Sequence, residues 1–329
     1  MRRVAVIDIG TVTCRLAVAD VHAGRVVRMA KQSEITNLGQ DVDRTRRLAQ
    51  DAMERVFGCV SAYVAAARQA KAEAICCTLT SAARDASNAA EMGAALASLG
   101  LEPMVIPGKV EGALTFLGVT QDFAGEEILV ADNGGGSTEL ARGSIGQEGL
   151  ALPWVKSVDI GCRRVTEKHL SAGDPPSPDD VLAARAFARA PFDAAVAEML
   201  SVVPQRASRL VVTGGTSTTL VAINEQLVPY DPRRVHLARL SRETLDGWVG
   251  RLASMSVAER AELPGIQAKR APVILGGAVA VAELMHAAGF EELTVSESDL
   301  LFGLSIVAAL TLDGESSPVV WKPELRPLS

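Results

Sequence analysis

The segment Asp132-Asn-Gly-Gly-Gly-Ser-Thr-Glu139 concentrates the chemistry of this 329-residue chain. Three consecutive glycines weaken any helix or strand. Their use is to bring backbone N–H groups close to something bulky and negative, and with a hydroxyl beside them such turns cradle phosphate. Gly134, Gly135, Gly136, Ser137 and Thr138 are therefore read as phosphate-binding. Asp132 before the loop and Glu139 after it add two carboxylates able to hold Mg²⁺, directly or through water. Magnesium suits such a pair, because it takes few protein carboxylates and completes its shell with water and phosphate oxygens. Thr213-Gly-Gly-Thr-Ser-Thr-Thr219 offers a second turn, with Gly214, Gly215 and Thr216 opening a helix whose N–H groups and dipole favour anions. Ser and Thr there also cap helices with no ligand involved. Asp8-Ile-Gly-Thr-Val-Thr13 is a third turn, carrying Asp8, Gly10, Thr11 and Thr13. Three such turns suit a chain of phosphates better than a single one. Arg84, among the small residues of Thr80-Ser-Ala-Ala-Arg-Asp-Ala-Ser, is read as their cationic partner, whereas Arg163 and Arg164 read equally well as a solvated surface pair.

The elements that must position these residues alternate between strand and helix, which predicts an α/β architecture. Short apolar runs predict strands over 4–10, 14–21, 25–29, 74–79, 104–106, 127–131, 140–142, 154–159, 210–212 and 292–295. Helical spacing, often Ala-rich, predicts helices over 48–70, 88–100, 110–123, 181–200, 276–289 and 300–312. Ser171 to Asp180 is dense in Pro, Ser and Asp and reads as a loop, and the stretch after Ser317 reads as irregular.

An internal echo sharpens the architecture. Val4 to Leu16 lies on Ile128 to Leu140 without a gap, so that Asp8 falls on Asp132, Gly10 on Gly134, Thr13 on Ser137 and Leu16 on Leu140. Two copies of one strand–turn–strand unit imply two related lobes around a central cleft. The expected division is 1–123, joined by the helix 300–312, and 124–299, with no residues left for a further domain.

Composition excludes several alternatives. Hydrophobic residues make up 48%, enough for a real core, but aromatics only 4%, so the core must be built mainly from Ala, Val, Leu and Ile. A formal net charge of −6 gives no bulk attraction to nucleic acid or to an anionic membrane. Five cysteines without a CxxC spacing fit a reducing compartment rather than a disulfide framework. The four histidines stand far apart, against a His/Cys zinc site. Leu300 to Leu312, read as the best apolar run, is shorter than the roughly 20 residues a bilayer needs. No leader is read in the N-terminus, and a cytoplasmic chain is expected.

Taken together, Val6-Ile-Asp-Ile-Gly, Thr80 to Asn88, Ile106-Pro-Gly-Lys-Val-Glu-Gly-Ala-Leu-Thr-Phe-Leu-Gly118, Asp132 to Leu140, Ser157-Val-Asp-Ile-Gly, Val212-Thr-Gly-Gly-Thr and Lys269-Arg270 leading to Ser296 resemble the exopolyphosphatase / guanosine pentaphosphate phosphohydrolase family. The resemblance implies an actin-like (ribonuclease H-like) fold, shared with sugar kinases and chaperone ATPase domains, in its short form without an HD-type domain. It implies hydrolysis of the terminal phosphoanhydride of linear polyphosphate, short chains preferred, or of pppGpp, with Mg²⁺ or Mn²⁺ as cofactor. It assigns Glu111 as base for the attacking water, Arg84 to phosphate, and Asp132 and Glu139 to the metal. From the residues alone, Glu111 reads as an exposed helix residue. Val12, Asn133, Lys109, Val110, Gly112 and Leu301 depart from the family's pattern. Val12, Asn133 and Leu301 keep open a non-hydrolytic protein that binds polyphosphate or the alarmone; a kinase of the same fold would need an adenosine pocket and a sugar-facing acid that no segment offers. A homodimer is left open.

Overall fold

Val4-Ala-Val-Ile opens a strand in which every residue from Val4 to Ile9 is buried, as happens when both sheet faces are covered. The computed structural model describes residues 1–328. The chain divides into two compact units, Met1–Asp122 with the stretch from Leu300 onward, and Phe123–Asp299.

In the first unit β1 (Arg2–Ile9), β2 (Thr13–His22) and β3 (Arg25–Ile35) form an antiparallel meander. α1 (Val42–Thr45) and α2 (Gln50–Gln69) lead to β4 (Ala74–Leu79), which lies parallel beside β1. α3 (Ser81–Asp85), α4 (Ala89–Ala97), β5 (Pro103–Val105) and α5 (Gly108–Val119) follow, β5 parallel to β4. Apolar spacing ended β3 at Met29, yet the strand runs to Ile35. Lys31-Gln-Ser-Glu34 is an exposed sheet edge, held by its register with β2, and its charges discourage pairing with another chain.

The second unit repeats the plan. β6 (Ile128–Asn133), β7 (Thr138–Gly146) and β8 (Gly149–Val158) form the meander. α6 (Cys162–Val165) and α7 (Pro178–Val202) precede β9 (Arg209–Thr213), parallel beside β6. α8 (Gly215–Asn224), α9 (Pro232–Val235), β10 (Arg239–Ser241), α10 (Arg242–Ala253), α11 (Val257–Ala261), α12 (Ala271–Ala288) and β11 (Glu292–Val295) complete it. The chain then returns to the first unit as α13 (Leu300–Asp313) and β12 (Arg326–Pro327), which pairs with β4 although its sequence reads as irregular. The strand orders are β3-β2-β1-β4, with β5 and β12 both on β4, and β8-β7-β6-β9-β11-β10. The registers also match: Asp8 faces Arg15 across β1 and β2, and Asp132 faces Glu139 across β6 and β7.

Each sheet carries its own core. Val56, Val60, Tyr63 and Val64 of α2 recur at helical spacing and pack on Ile7, Ile9, Leu16, Ile75 and Leu79. Fully burying each aliphatic side chain contributes roughly 1.5–3 kcal/mol. The other face of the first sheet is covered by α13, which packs on β1, β2 and α5. Its contact with α5 is close enough to need glycine: a Cβ on Gly303 would lie 1.9 Å from the Leu114 carbonyl oxygen. Gly303→Ala is expected to lower the melting temperature. Overpacking costs about 1–3 kcal/mol, more than the roughly 1 kcal/mol that alanine adds to helix propensity. An unchanged or higher melting temperature would show that the two helices slide apart freely.

In the second unit α12 is buried against α7 and α10. The expected start at Gly276 is corrected to Ala271, with Gly276 and Gly277 inside the helix. Added Cβ atoms there would lie 2.5 Å from the Cys162 oxygen and 2.4 Å from Thr216 Oγ1, so the glycines let α6 and α8 approach. α12 also replaces Leu300 to Leu312 as the most extended apolar segment: by length and composition it is able to span a bilayer, and 78% of it is buried inside the unit.

Candidate functional site

The triglycine turn joins β6 to β7, and Gly134 N–H donates to the Ser137 oxygen at 3.0 Å. Its carbonyls are taken up on one side. Gly134 O accepts from Cys162 N at 2.9 Å, Gly135 O from Arg163 N at 2.9 Å, and Gly136 O from Arg164 Nε at 2.7 Å. In a trans peptide the carbonyl and the following N–H point in opposite directions. The Gly135, Gly136 and Ser137 N–H groups therefore turn away from residues 162–164, as an anion cradle requires. Arg164 is buried, so it is no solvated surface residue; it braces the turn, and Arg163 pairs with Glu167 at 2.9 Å. Gly161 makes this packing fit, because a Cβ there would lie 2.5 Å from the Gly135 carbonyl group. Gly161→Ala is expected to push the turn open and weaken tripolyphosphate binding, read by calorimetry, with the melting temperature followed in parallel. Unchanged affinity would remove this turn from phosphate binding.

Asp132 and Glu139 face each other across the strand pair, which puts both carboxylates on one side of the sheet. Both are buried. Glu139 Oε1 accepts from Ser137 Oγ at 2.8 Å and from Ser157 Oγ at 2.7 Å. Ser137 thus holds a carboxylate as well as bounding the turn. Thr138 is buried, donates its hydroxyl to the Ile160 oxygen at 2.5 Å and accepts from Asn133 Nδ2 at 2.9 Å. Its hydroxyl closes the turn through these two bonds. Asn133 keeps its polar group useful by the same bond.

The Gly214 turn packs directly on this one. Gly214 has φ +101°, a conformation glycine adopts without cost, and a Cβ there would lie 2.7 Å from the Asn133 oxygen. Gly215 is overlain by the Arg270 guanidinium, 2.3 Å from a would-be Cβ. The N–H groups of the first turn of α8 have no partners within the helix, so Gly215 and Thr216 offer backbone donors there. The Thr216 side chain, however, is buried toward Gly277 and the Cys162 thiol. Arg270, named in the sequence only within the segment from Lys269 to Ser296, is the guanidinium at this turn. The signal was present as Lys269-Arg270 just before a long apolar run.

In the first unit the Asp8 turn repeats the geometry, with Gly10 N–H donating to the Thr13 oxygen at 2.9 Å. Asp8 Oδ2 accepts from Arg15 Nε at 3.0 Å and Nη2 at 2.7 Å. A carboxylate has no proton to offer a phosphate; Asp8 orients Arg15, a second guanidinium absent from the sequence reading. Arg15 stands where Glu139 stands in the second unit, so the duplicated hairpin carries opposite charge at that position. Thr11 is buried, with its carbonyl accepting from Gly39 N at 2.8 Å, and Val12 is buried too.

Arg84, on α3 just after β4, donates from Nη1 to Glu111 Oε2 at 2.6 Å and to the Ile106 oxygen at 3.0 Å. Glu111 lies in the first turn of α5, where the helix dipole favours a carboxylate. It is buried, which overturns its reading as an exposed helix residue. The two residues stand 27 positions apart and are brought together by β5 and the turn at Pro107.

Two units of one topology, each with a hairpin turn whose N–H donors suit phosphate, define an actin-like α/β protein that handles phosphoryl groups. The chain belongs to the Ppx/GppA phosphatase family, whose model it matches over residues 17–306. It is 37% identical to exopolyphosphatase 2 of Mycobacterium tuberculosis over 328 residues, 94% of this chain and 99% of that one. Among solved structures, an exopolyphosphatase-like protein is 33% identical with a TM-score of 0.84, over 93% of this chain and 97% of that one. The Aquifex aeolicus Ppx/GppA phosphatase, a type II variant, is 30% identical with a TM-score of 0.70, over 93% and 99%.

Proposed function

We propose that this chain is a metal-dependent exopolyphosphatase that removes the terminal phosphate of linear polyphosphate as orthophosphate. The observation that carries the reading is the triglycine turn, with its carbonyls satisfied on one side and its N–H groups turned to the other, beside the Asp132–Glu139 pair. Phosphoryl transfer needs positioning and charge neutralisation more than covalent chemistry, and these groups supply both.

The two carboxylates fit a hard divalent cation. Among the described residues no cluster of three or more His, Cys, Asp and Glu side chains forms. That suits Mg²⁺ or Mn²⁺ bound through two carboxylates and substrate oxygens, and not an ion caged by protein alone. When bound, the cation neutralises charge on the phosphate oxygens. Ser137 and Ser157 hold Glu139 in place for it.

Arg84 and Arg270 are the guanidinium groups assigned to phosphate, with Arg15 set by Asp8. Glu111 is the general base. A phosphate that takes over Arg84 leaves the Glu111 carboxylate to accept a proton from water. The five free thiols accord with a cytoplasmic setting. Steady-state turnover on short polyphosphate and on pppGpp, each with Mg²⁺, tests the substrate. We expect the higher kcat/KM on polyphosphate; a higher value on pppGpp would reassign the protein to the alarmone.

A further inference from the structure

The start of β2, immediately after the Asp8 turn, carries a thiol pair that the phosphatase reading does not use. Cys14 lies in the core of the first unit, and Cys59 of α2 packs against the same core while remaining partly accessible. α2 packs on β2 at this point, which brings the two thiols to one patch of the core. Tyr63, one helical turn beyond Cys59, donates its hydroxyl to the Cys14 carbonyl at 3.1 Å and fixes α2 against β2. Glu34 is the cross-strand neighbour of Cys14 on β3.

We infer that Cys14 and Cys59 are a reversible disulfide site that responds to peroxide and acts on the adjoining Asp8 turn. The neighbouring Cys14 thiol, opposed by burial and by Glu34 and aided by Tyr63, lowers the Cys59 thiol to about 7, which favours the reactive thiolate there. Cys14 is moved the other way, by the Cys59 thiol and by burial. Cys76, pushed up to about 12 by burial, and Cys77 and Cys162, also raised by burial, stay protonated.

The chemistry balances. The Cys59 thiolate attacks one peroxide oxygen, the O–O bond breaks, sulfenic acid forms on Cys59, and the departing hydroxide takes up the proton Cys59 had lost. The Cys14 thiol attacks that sulfur, the S–S bond forms, and the sulfenic oxygen leaves as water with the Cys14 proton. Two thiols are oxidised and one peroxide becomes two waters. A covalent S–S bond is shorter than a thiol–thiol contact, so closing it draws Cys14 toward α2 and takes Thr13, its neighbour in the turn, along.

The test treats the full-length protein with hydrogen peroxide and maps peptides without reduction. The expected result is a Cys14–Cys59 cross-linked peptide that dithiothreitol removes, and none in Cys59→Ser. Sulfinic acid on Cys59, or no modification at Cys59 while the protein stays folded, would overturn the site. The consequence for the turn rests on the proposed activity: phosphate release is expected to fall about tenfold or more, since a displacement near 1 Å costs up to 10²-fold, to recover with dithiothreitol, and to be peroxide-insensitive in Cys59→Ser. A cross-link without that fall would overturn the control of the turn. Failure of the reduced protein to release phosphate counts against the proposed activity, while the cross-link is read independently.

Discussion

Glu111→Gln lowers polyphosphate turnover by about 10²- to 10⁴-fold, the usual worth of a general base, while affinity for the phosphate chain changes little. Glutamine matches glutamate in shape and still accepts a hydrogen bond from Arg84, which Glu111 receives at 2.6 Å. What it loses is the negative charge and the ability to take a proton. The loss therefore falls on kcat, because the base acts only as water is activated, and KM stays near its starting value. Arg84 supplies the contrast. It is the phosphate partner in this account, so Arg84→Ala raises KM as well as lowering kcat. Because Glu111 is 7% exposed, a folding defect is a real alternative for any variant there, and an unchanged melting temperature accompanies the expected result. Unchanged turnover in a folded Glu111→Gln protein would remove Glu111 from the role of base.

Glu139→Ala raises the Mg²⁺ or Mn²⁺ concentration needed for half-maximal phosphate release by at least about tenfold, the lower end of what even an outer partner of a metal ligand costs. Two effects combine. One anionic ligand disappears, leaving Asp132 as the carboxylate on that side of the sheet, and the Ser137 and Ser157 hydroxyls lose the acceptor they share. Unsatisfied buried hydroxyls cost roughly 1–3 kcal/mol, so Glu139→Gln serves as the companion variant. It retains an oxygen for the two hydroxyls and removes only the charge. Both variants are expected to shift the metal titration, with Glu139→Gln nearer the parent in melting temperature. A metal titration identical to the parent's in the folded Gln variant would end the assignment of Glu139 to the cation.

Much of this was legible in the sequence because local chemistry dictated it. Asp132 to Glu139 announces a strand, a tight turn and a strand, and the gapless echo with Asp8 to Leu16 carries over to matching registers. The same echo laid Arg15 on Glu139, and a hairpin register would have set Arg15 opposite Asp8, so that guanidinium was within reach of the sequence. Other features were not. Whether a turn hydroxyl faces a ligand or the protein depends on partners far along the chain: Thr138 gives its proton to Ile160 and Thr216 is packed beneath Gly277. Glu111 looks like a surface residue until Arg84 is brought to it. The helix α10, by contrast, was within reach of the sequence: Leu245, Trp248, Val249 and Leu252 recur at helical spacing and form its buried face, and the helix packs on α12.

The central claim is end-on hydrolysis, and it is tested most directly by resolving the products from a polyphosphate of uniform length with Mg²⁺ present. The account predicts orthophosphate as the released product from the first turnovers, with the remaining chains shortened one phosphate at a time. Fragments of intermediate length appearing first, or polyphosphate bound tightly and returned intact with either Mg²⁺ or Mn²⁺, would contradict it.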